Sequence, residues 1–301
     1  MILRWKPSFS ASCIHAPACL LEGWPWANAQ MAKTLQQSCE AFVSGIEASG
    51  LDACKALPLF TGLAAEYESN RQLVEIATLR LRGASTLSPA ALERIASLLS
   101  DLKRVCLDAQ PGLEGELELR IRPLREQWEA RGPGLLSQIA KLADHQFIVP
   151  TAEVVLVHPW VGGHGRTHPT LNRVTLEAVL ANPRPEFPEP LRLGWLLSQL
   201  NLDLPRYADL FPGRRKRLVA SMATLPLVLC AAQRVEWAEL SETSLEQVMA
   251  FWTRPAGMPD DFAQQLLDWW KTYESGKSSW PVALAALNQM LPKATSEANR
   301  G

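Results

Sequence analysis

Ala152-Glu153-Val154-Val155-Leu156-Val157-His158 is apolar and rich in β-branched residues, stands between Pro150 and Pro159, and reads as a strand. Arg173-Val174-Thr175-Leu176-Glu177-Ala178-Val179-Leu180 alternates like a second strand. Val174, Leu176, Ala178 and Leu180 share one face, and Arg173, Thr175 and Glu177 the other. These runs interrupt a chain whose periodicity is otherwise helical. The expected fold is therefore α+β, predominantly α-helical, with a small antiparallel β-hairpin or sheet around residues 152–180.

Towards the N-terminus, Leu35, Cys39, Phe42, Val43 and Ile46 fall on one face of a helix that Gly50 closes. Asn70 to Arg82 reads as a second helix. Ser88-Pro89 is an N-cap followed by an N1 proline, and opens a third whose stripe is Leu92, Ile95, Leu99, Leu102 and Cys106. Glu114 to Arg131 is helical with Pro123 dividing it, Gly132-Pro133-Gly134 breaks the chain, and Leu135 to Ala143 makes one short helix more. Towards the C-terminus, residues 182–190 carry four prolines and read as irregular. Leu191–Leu200, Arg214–Gln233, Leu245–Trp252, Asp260–Ser275 and Val282–Leu291 read as helices.

The first thirty residues hold Trp5, Trp24, Trp26, Cys13 and Cys19 without a clear amphipathic period. Arg4 and Lys6 upstream of Ala27-Asn28-Ala29 resemble a signal peptide, but His15, Pro17 and Glu22 interrupt the apolar stretch that one requires. Met31-Ala32-Lys33-Thr34 leads straight into a helix. The expected organisation is a disordered leader, or a segment upstream of the true start, over 1–30; a helical region over 31–134; an α+β region over 135–291; and a disordered tail over 292–301.

The chain of 301 residues has a formal net charge of -1, 47% apolar residues and 20% charged ones, so no global field draws it to nucleic acid or anionic lipid. Leu218 to Ala232, the longest apolar run, is too short to span a bilayer and contains Pro226. Six cysteines occur without a C-x-x-C pair, which suits thiols packed as small hydrophobes in a reducing, cytoplasmic setting. Of the 11 tryptophans, five lie in the last quarter and read as anchors of helix packing.

Chemistry, if the chain has any, is expected between the two strands. His158-Pro159-Trp160-Val161-Gly162-Gly163-His164-Gly165-Arg166-Thr167-His168-Pro169 gathers three of the five histidines. The plainest reading is a solvated surface loop. A second is a metal site, zinc foremost, with His158, His164 and His168 as ligands and a further carboxylate from Glu177, Glu186, Glu189 or Asp203. His164 and His168 share the i, i+4 spacing of H-E-x-x-H, but Gly165 stands where that motif has its glutamate, so a protease of that kind is excluded. A third is an anion-binding loop using the amides of Gly162, Gly163 and Gly165 with Arg166. Arg214 and Arg215, in the basic run at a helix start, are further candidates for anion binding.

No G-x-S-x-G elbow or complete catalytic set is present in the sequence. The expected function is a non-catalytic interaction or scaffold protein with a protein partner. The alternatives are a metal-dependent hydrolase on the histidine loop and an anion-binding regulatory domain.

Overall fold

The computed structural model describes residues 1–83, 87–144, 146–180, 184–203, 213–255, 257–276 and 278–292. They form a mostly helical α+β fold with one four-stranded mixed sheet. The strands are β1 (Ile2–Pro7), β2 (Thr151–Val157), β3 (Gly165–His168) and β4 (Arg173–Glu177). The helices of the first half are α1 (Phe9–Leu21), α2 (Ala29–Ala48), α3 (Ala53–Leu63), α4 (Asn70–Arg82), α5 (Pro89–Ala109) and α6 (Leu113–Leu142). Those of the second half are α7 (Glu189–Leu197), α8 (Gly213–Arg234), α9 (Glu242–Val248), α10 (Phe262–Gly276) and α11 (Trp280–Met290). Among the described residues no helix is long and apolar enough to cross a membrane. All six cysteines are free thiols, and only Cys54 is exposed.

The chain divides into two compact units, one of Met1–Ala130 with Pro150–Pro185, the other of Arg131–Val149 with Glu186–Gly301. The division departs from the expected boundary near residue 134, because both predicted strands belong with the N-terminal helices.

In the first unit the sheet order is β1-β2-β4-β3. The two strands read from the sequence do pair, but in parallel, with Val154 opposite Val174 and Leu156 opposite Leu176. This corrects the expected antiparallel hairpin. The antiparallel partner of β4 is β3, which lies inside the glycine-rich loop and turns through Pro169–Leu171 and a left-handed Asn172. With β3 already running back, β4 must run the same way as β2. The alternation along β4 holds, yet both faces are buried, so Arg173, Thr175 and Glu177 are enclosed polar residues.

The expected disorder of residues 1–30 is the second correction. Residues 2–7 form β1, parallel to β2. Ser8 caps α1 by accepting from Ala11 N, and Ala11 to Cys19 are all buried. The segment lacks an amphipathic period because α1 has no outward face: it packs against α2, α3, α5 and β2. Met31 lies within α2, which Asn28 caps.

The third correction concerns α6, which runs unbroken through Pro123, Gly132, Pro133 and Gly134. Leu113, Leu117, Leu124, Trp128, Leu135, Leu136 and Ile139 are buried along it, and that packing outweighs the local breakers. Elsewhere the predicted stripes are buried: Leu35, Cys39, Phe42 and Ile46 on α2, with Val43 half-buried, and Leu92, Ile95, Leu99, Leu102 and Cys106 on α5.

The second unit is helical around an aromatic core. Trp195 and Trp252 approach to 5.5 Å between ring centroids, and Trp280 meets Phe147, Trp269 and Tyr273. Of the proline-rich run, residues 184–188 are irregular, while 182 and 183 lie outside the described residues. So does the expected disordered tail beyond Pro292.

Candidate metal centre

Two segments far apart in sequence meet where α1 crosses the end of β4. On α1, His15 and Cys19 are one helical turn apart and project from one face. The loop after β2 supplies His164, and the last residue of β4 is Glu177. All four side chains are buried.

Glu177 organises the site. Its Oε1 accepts from His15 Nε2 at 3.1 Å and from Val161 N at 3.0 Å. Its Oε2 accepts from Gly162, Gly163 and His164 N at 2.9, 2.7 and 2.9 Å. Four successive amides converge on one carboxylate because Gly162 and Gly163 take positive φ of 87° and 138°, which side chains at those positions would resist. Burial alone pushes the Glu177 carboxyl up. The hydrogen bond and charge of His15, with the Val161 and Gly163 amides, outweigh it and hold the carboxyl below its usual range.

An ionised Glu177 only accepts, so His15 presents Nε2–H to it. Cys19 Sγ lies 3.4 Å from His15 Nε2 and 3.7 Å from His15 Nδ1. Around a tetrahedral zinc-class ion, bonds of about 2.1 Å to nitrogen and 2.3 Å to sulfur set such an edge at about 3.6 Å. His164 completes the set: ligand atoms of His15, Cys19 and His164 all lie within 4.8 Å of one another. A side-chain adjustment of about 1 Å then brings all three to bonding range. The carboxylate behind His15 fixes its tautomer, an arrangement that recurs behind metal-bound imidazoles.

The surroundings hold these groups in place. The His164 ring packs edge-on against Trp24, with centroids 4.7 Å apart, and lies 5.2 Å from the His15 ring. Trp24 Nε1 donates to Glu22 at 3.2 Å, and Glu22 also pairs with Arg166. Ser12, on the same helix, accepts from His158 N at 3.0 Å through Oγ and from Trp160 Nε1 at 2.8 Å through its carbonyl. Burial raises the Cys19 thiol well above its usual range, and the nearby charge of Glu177 adds to this. An unmetallated Cys19 is thus a neutral thiol, and a poor nucleophile.

Of the three histidines expected as ligands, only His164 belongs to this group. His168 bonds Thr175 Oγ1 through Nε2 at 2.8 Å, and its ring packs against Gly62. Thr175 and Glu177 share one face of β4, and the register, with His168 opposite Arg173, sets His168 nearer to Thr175 than to Glu177. His158 lies against Trp160, with ring centroids 4.2 Å apart and planes tilted by 56°. Among the suggested carboxylates, Glu189 pairs with Arg192 at 3.1 Å, Glu186 is exposed, and the Asp203 side chain lies outside the described residues. Glu177 does join the site, as the group that orients His15.

The anion-binding expectation meets a specific obstacle. The amides of Gly162 and Gly163 do cradle an anion, and that anion is the chain's own Glu177. Gly165 begins β3 instead. Arg166 is paired with Glu22. Arg215 bonds Asn288 Oδ1 at 2.6 Å and the carbonyls of Asn288, Leu291 and Pro292, closing the end of α11. The Arg214 side chain lies outside the described residues.

His15 and Cys19 lie in the segment expected to be a leader, outside the histidine loop to which the sequence points. Their i, i+4 spacing downstream of Ser8 was the available signal. Comparison with protein-family models, with curated proteins and with solved structures found no match.

Proposed function

We propose that the first unit is a non-catalytic module fastened by one zinc-class ion on His15, Cys19 and His164. The carrying observation is the convergence of these three ligand atoms within 4.8 Å. Two imidazoles and a thiolate suit zinc, and the ion would deprotonate Cys19, offsetting the charge that burial otherwise forbids. Its role is structural: it ties α1 to the loop after β2, and so joins residues that the sequence keeps far apart. Interaction with a protein partner, in a reducing cytoplasmic setting, belongs to the same reading, and six cysteines without a disulfide support that setting.

A hydrolytic centre on the same residues has one observation in its favour, the carboxylate beside the ligands. Two weigh against it. The oxygens of Glu177 are already engaged by four amides and His15, and the three ligands are buried, so the fourth position that three ligands leave open does not face solvent.

The test is metal content of the full chain, purified without a histidine tag or chelator and then reconstituted with zinc. About one ion per chain is expected. It should be lost in Cys19→Ser and His164→Ala and kept in His158→Ala and His168→Ala. Absence of bound metal after reconstitution, or retention in Cys19→Ser and His164→Ala, overturns the proposal.

A further inference from the structure

Within the second unit, the end of α8, the loop before α9 and one face of α10 border an open cavity of about 460 Å³. That volume falls within the ~300–1,000 Å³ of small-molecule sites. Helical spacing builds it. Cys230, Gln233 and Arg234 stand at i, i+3 and i+4 on α8, and Leu267, Trp270, Lys271 and Glu274 at i, i+3, i+4 and i+7 on α10. Leu240, from the loop, joins Leu267 as apolar wall over the fully buried Trp270.

The polar groups of the lining are ones that solvent reaches. Gln233 is exposed, and the side chains of Arg234 and Lys271 keep 42% and 62% of their surface. Arg234 Nη2 donates to Glu274 Oε1 at 2.9 Å, and the Cys230 thiol donates to the same oxygen at 3.9 Å. Gln233 Oε1 accepts from Leu240 N at 3.1 Å, which pins the loop to α8. Lys271 Nζ lies 3.9 Å from Asp268 Oδ1, beyond hydrogen-bond reach. Among the described residues, Arg234 Nε and Nη1, Gln233 Nε2 and Lys271 Nζ therefore have no protein partner.

These groups are all donors, and they mark what the cavity would hold. Burial and the charge of Glu274 push the Cys230 thiol up, so it stays neutral. The two cations then face a single carboxylate, leaving one positive charge in excess. A carboxylate offers about four lone-pair sites and accepts from several donors at once. Leu240 and Leu267 give an apolar body a surface that a bare anion does not use.

We propose that this cavity binds a small organic monocarboxylate, its head on Lys271, Gln233 and the free edge of Arg234 and its apolar body against Leu240 and Leu267. The assignment is independent of the metal reading, since every residue it uses belongs to the second unit.

Phenylacetate and hexanoate serve as probes, one with a flat body and one with a chain. Their amides are the uncharged controls, and acetate is the head without a body. Binding to the full chain is followed by calorimetry and NMR at low salt. At least one probe should bind, its amide and acetate each about tenfold more weakly; which of the two binds identifies the body as ring or chain. Lys271→Met should weaken binding about fivefold, the scale of one exposed charge pair. In the wild-type chain with ¹³C-labelled leucine methyls, the Leu240 signals, assigned by their absence in Leu240→Ile, should move on titration. Failure of both probes to bind, equal binding of the amides or of acetate, undiminished binding in Lys271→Met, or unmoved Leu240 methyls overturns the proposal.

Discussion

His15 Nε2 lies 3.1 Å from Glu177 Oε1, joining residues 162 positions apart, and both side chains are enclosed. The contact welds the middle of α1 to the end of β4. It also sets the tautomer of His15 and, through the amide cradle, the course of residues 161–164.

Glu177→Gln is therefore expected to destabilise the first unit strongly. The amide brings an N–H group into a site already crowded with four backbone donors. Charge-assisted hydrogen bonds to a buried carboxylate are lost together, at a cost of about 3–5 kcal/mol. Urea denaturation followed by tryptophan fluorescence checks it, and a midpoint close to wild type would show that the cradle is not what holds the loop.

Zinc should stabilise the wild-type chain by mass action. At a free concentration of a hundred times Kd the gain is about 2.7 kcal/mol, or roughly 5–10 °C in Tm for a unit of this size. Chelator should reverse it. Differential scanning calorimetry of Cys19→Ser under the same conditions should record no zinc-dependent shift; a shift equal to wild type would move the ion elsewhere.

Gly62→Ala probes how tightly α3 is set against β4. An added Cβ would stand 2.8 Å from His168 Nδ1 and 2.9 Å from Leu171 Cδ1, and the buried His168 ring is held by its bond to Thr175. Beside it, Arg173 bonds the Gly62 carbonyl and pairs with Glu66 and Glu153. Overpacking of this kind costs about 1–3 kcal/mol, more than the helix propensity gained over glycine. Thermal melts of the variant decide it: an unchanged or raised Tm would mean that α3 stands off from the strand.

His158 gives the stability a pH dependence with a definite sign. Burial lowers its pKa from the ordinary 6.5, although Glu116 and Glu177 pull it back up while Arg120 and His15 reinforce the lowering. The folded state thus prefers the neutral ring. Its contribution is fully present above pH 6.5 and is lost as pH falls from there through the folded value. His158→Gln should flatten that part of the stability curve, measured by urea midpoints across the window. A variant with the wild-type slope would assign the titration to another group.

Several elements could be read from the chain alone because their signals are local. The Ser88-Pro89 start and the Leu92 to Cys106 stripe define α5, and the alternation of Val174 and Leu176 against Arg173, Thr175 and Glu177 defines β4. Each depends on spacing within a few residues, which fixes what one face of a helix or strand must bury. The partners were a different matter. Whether β2 and β4 run parallel depended on β3, a four-residue strand hidden in a glycine-rich loop. An enclosed helix such as α1 shows no amphipathic period, so the i, i+4 spacing of His15 and Cys19 is the one mark its two candidate ligands carry. Pro123 and Gly132 to Gly134 predict breaks, but burial along α6 overrides them. The sequence marks the histidine loop by composition, yet which of its imidazoles approaches a thiol is decided by the register of β3 on β4 and by the packing of α1 over their ends. Local spacing determines which face is buried; only tertiary packing determines what that face meets, because contacts across more than a hundred residues leave no periodic trace in the chain.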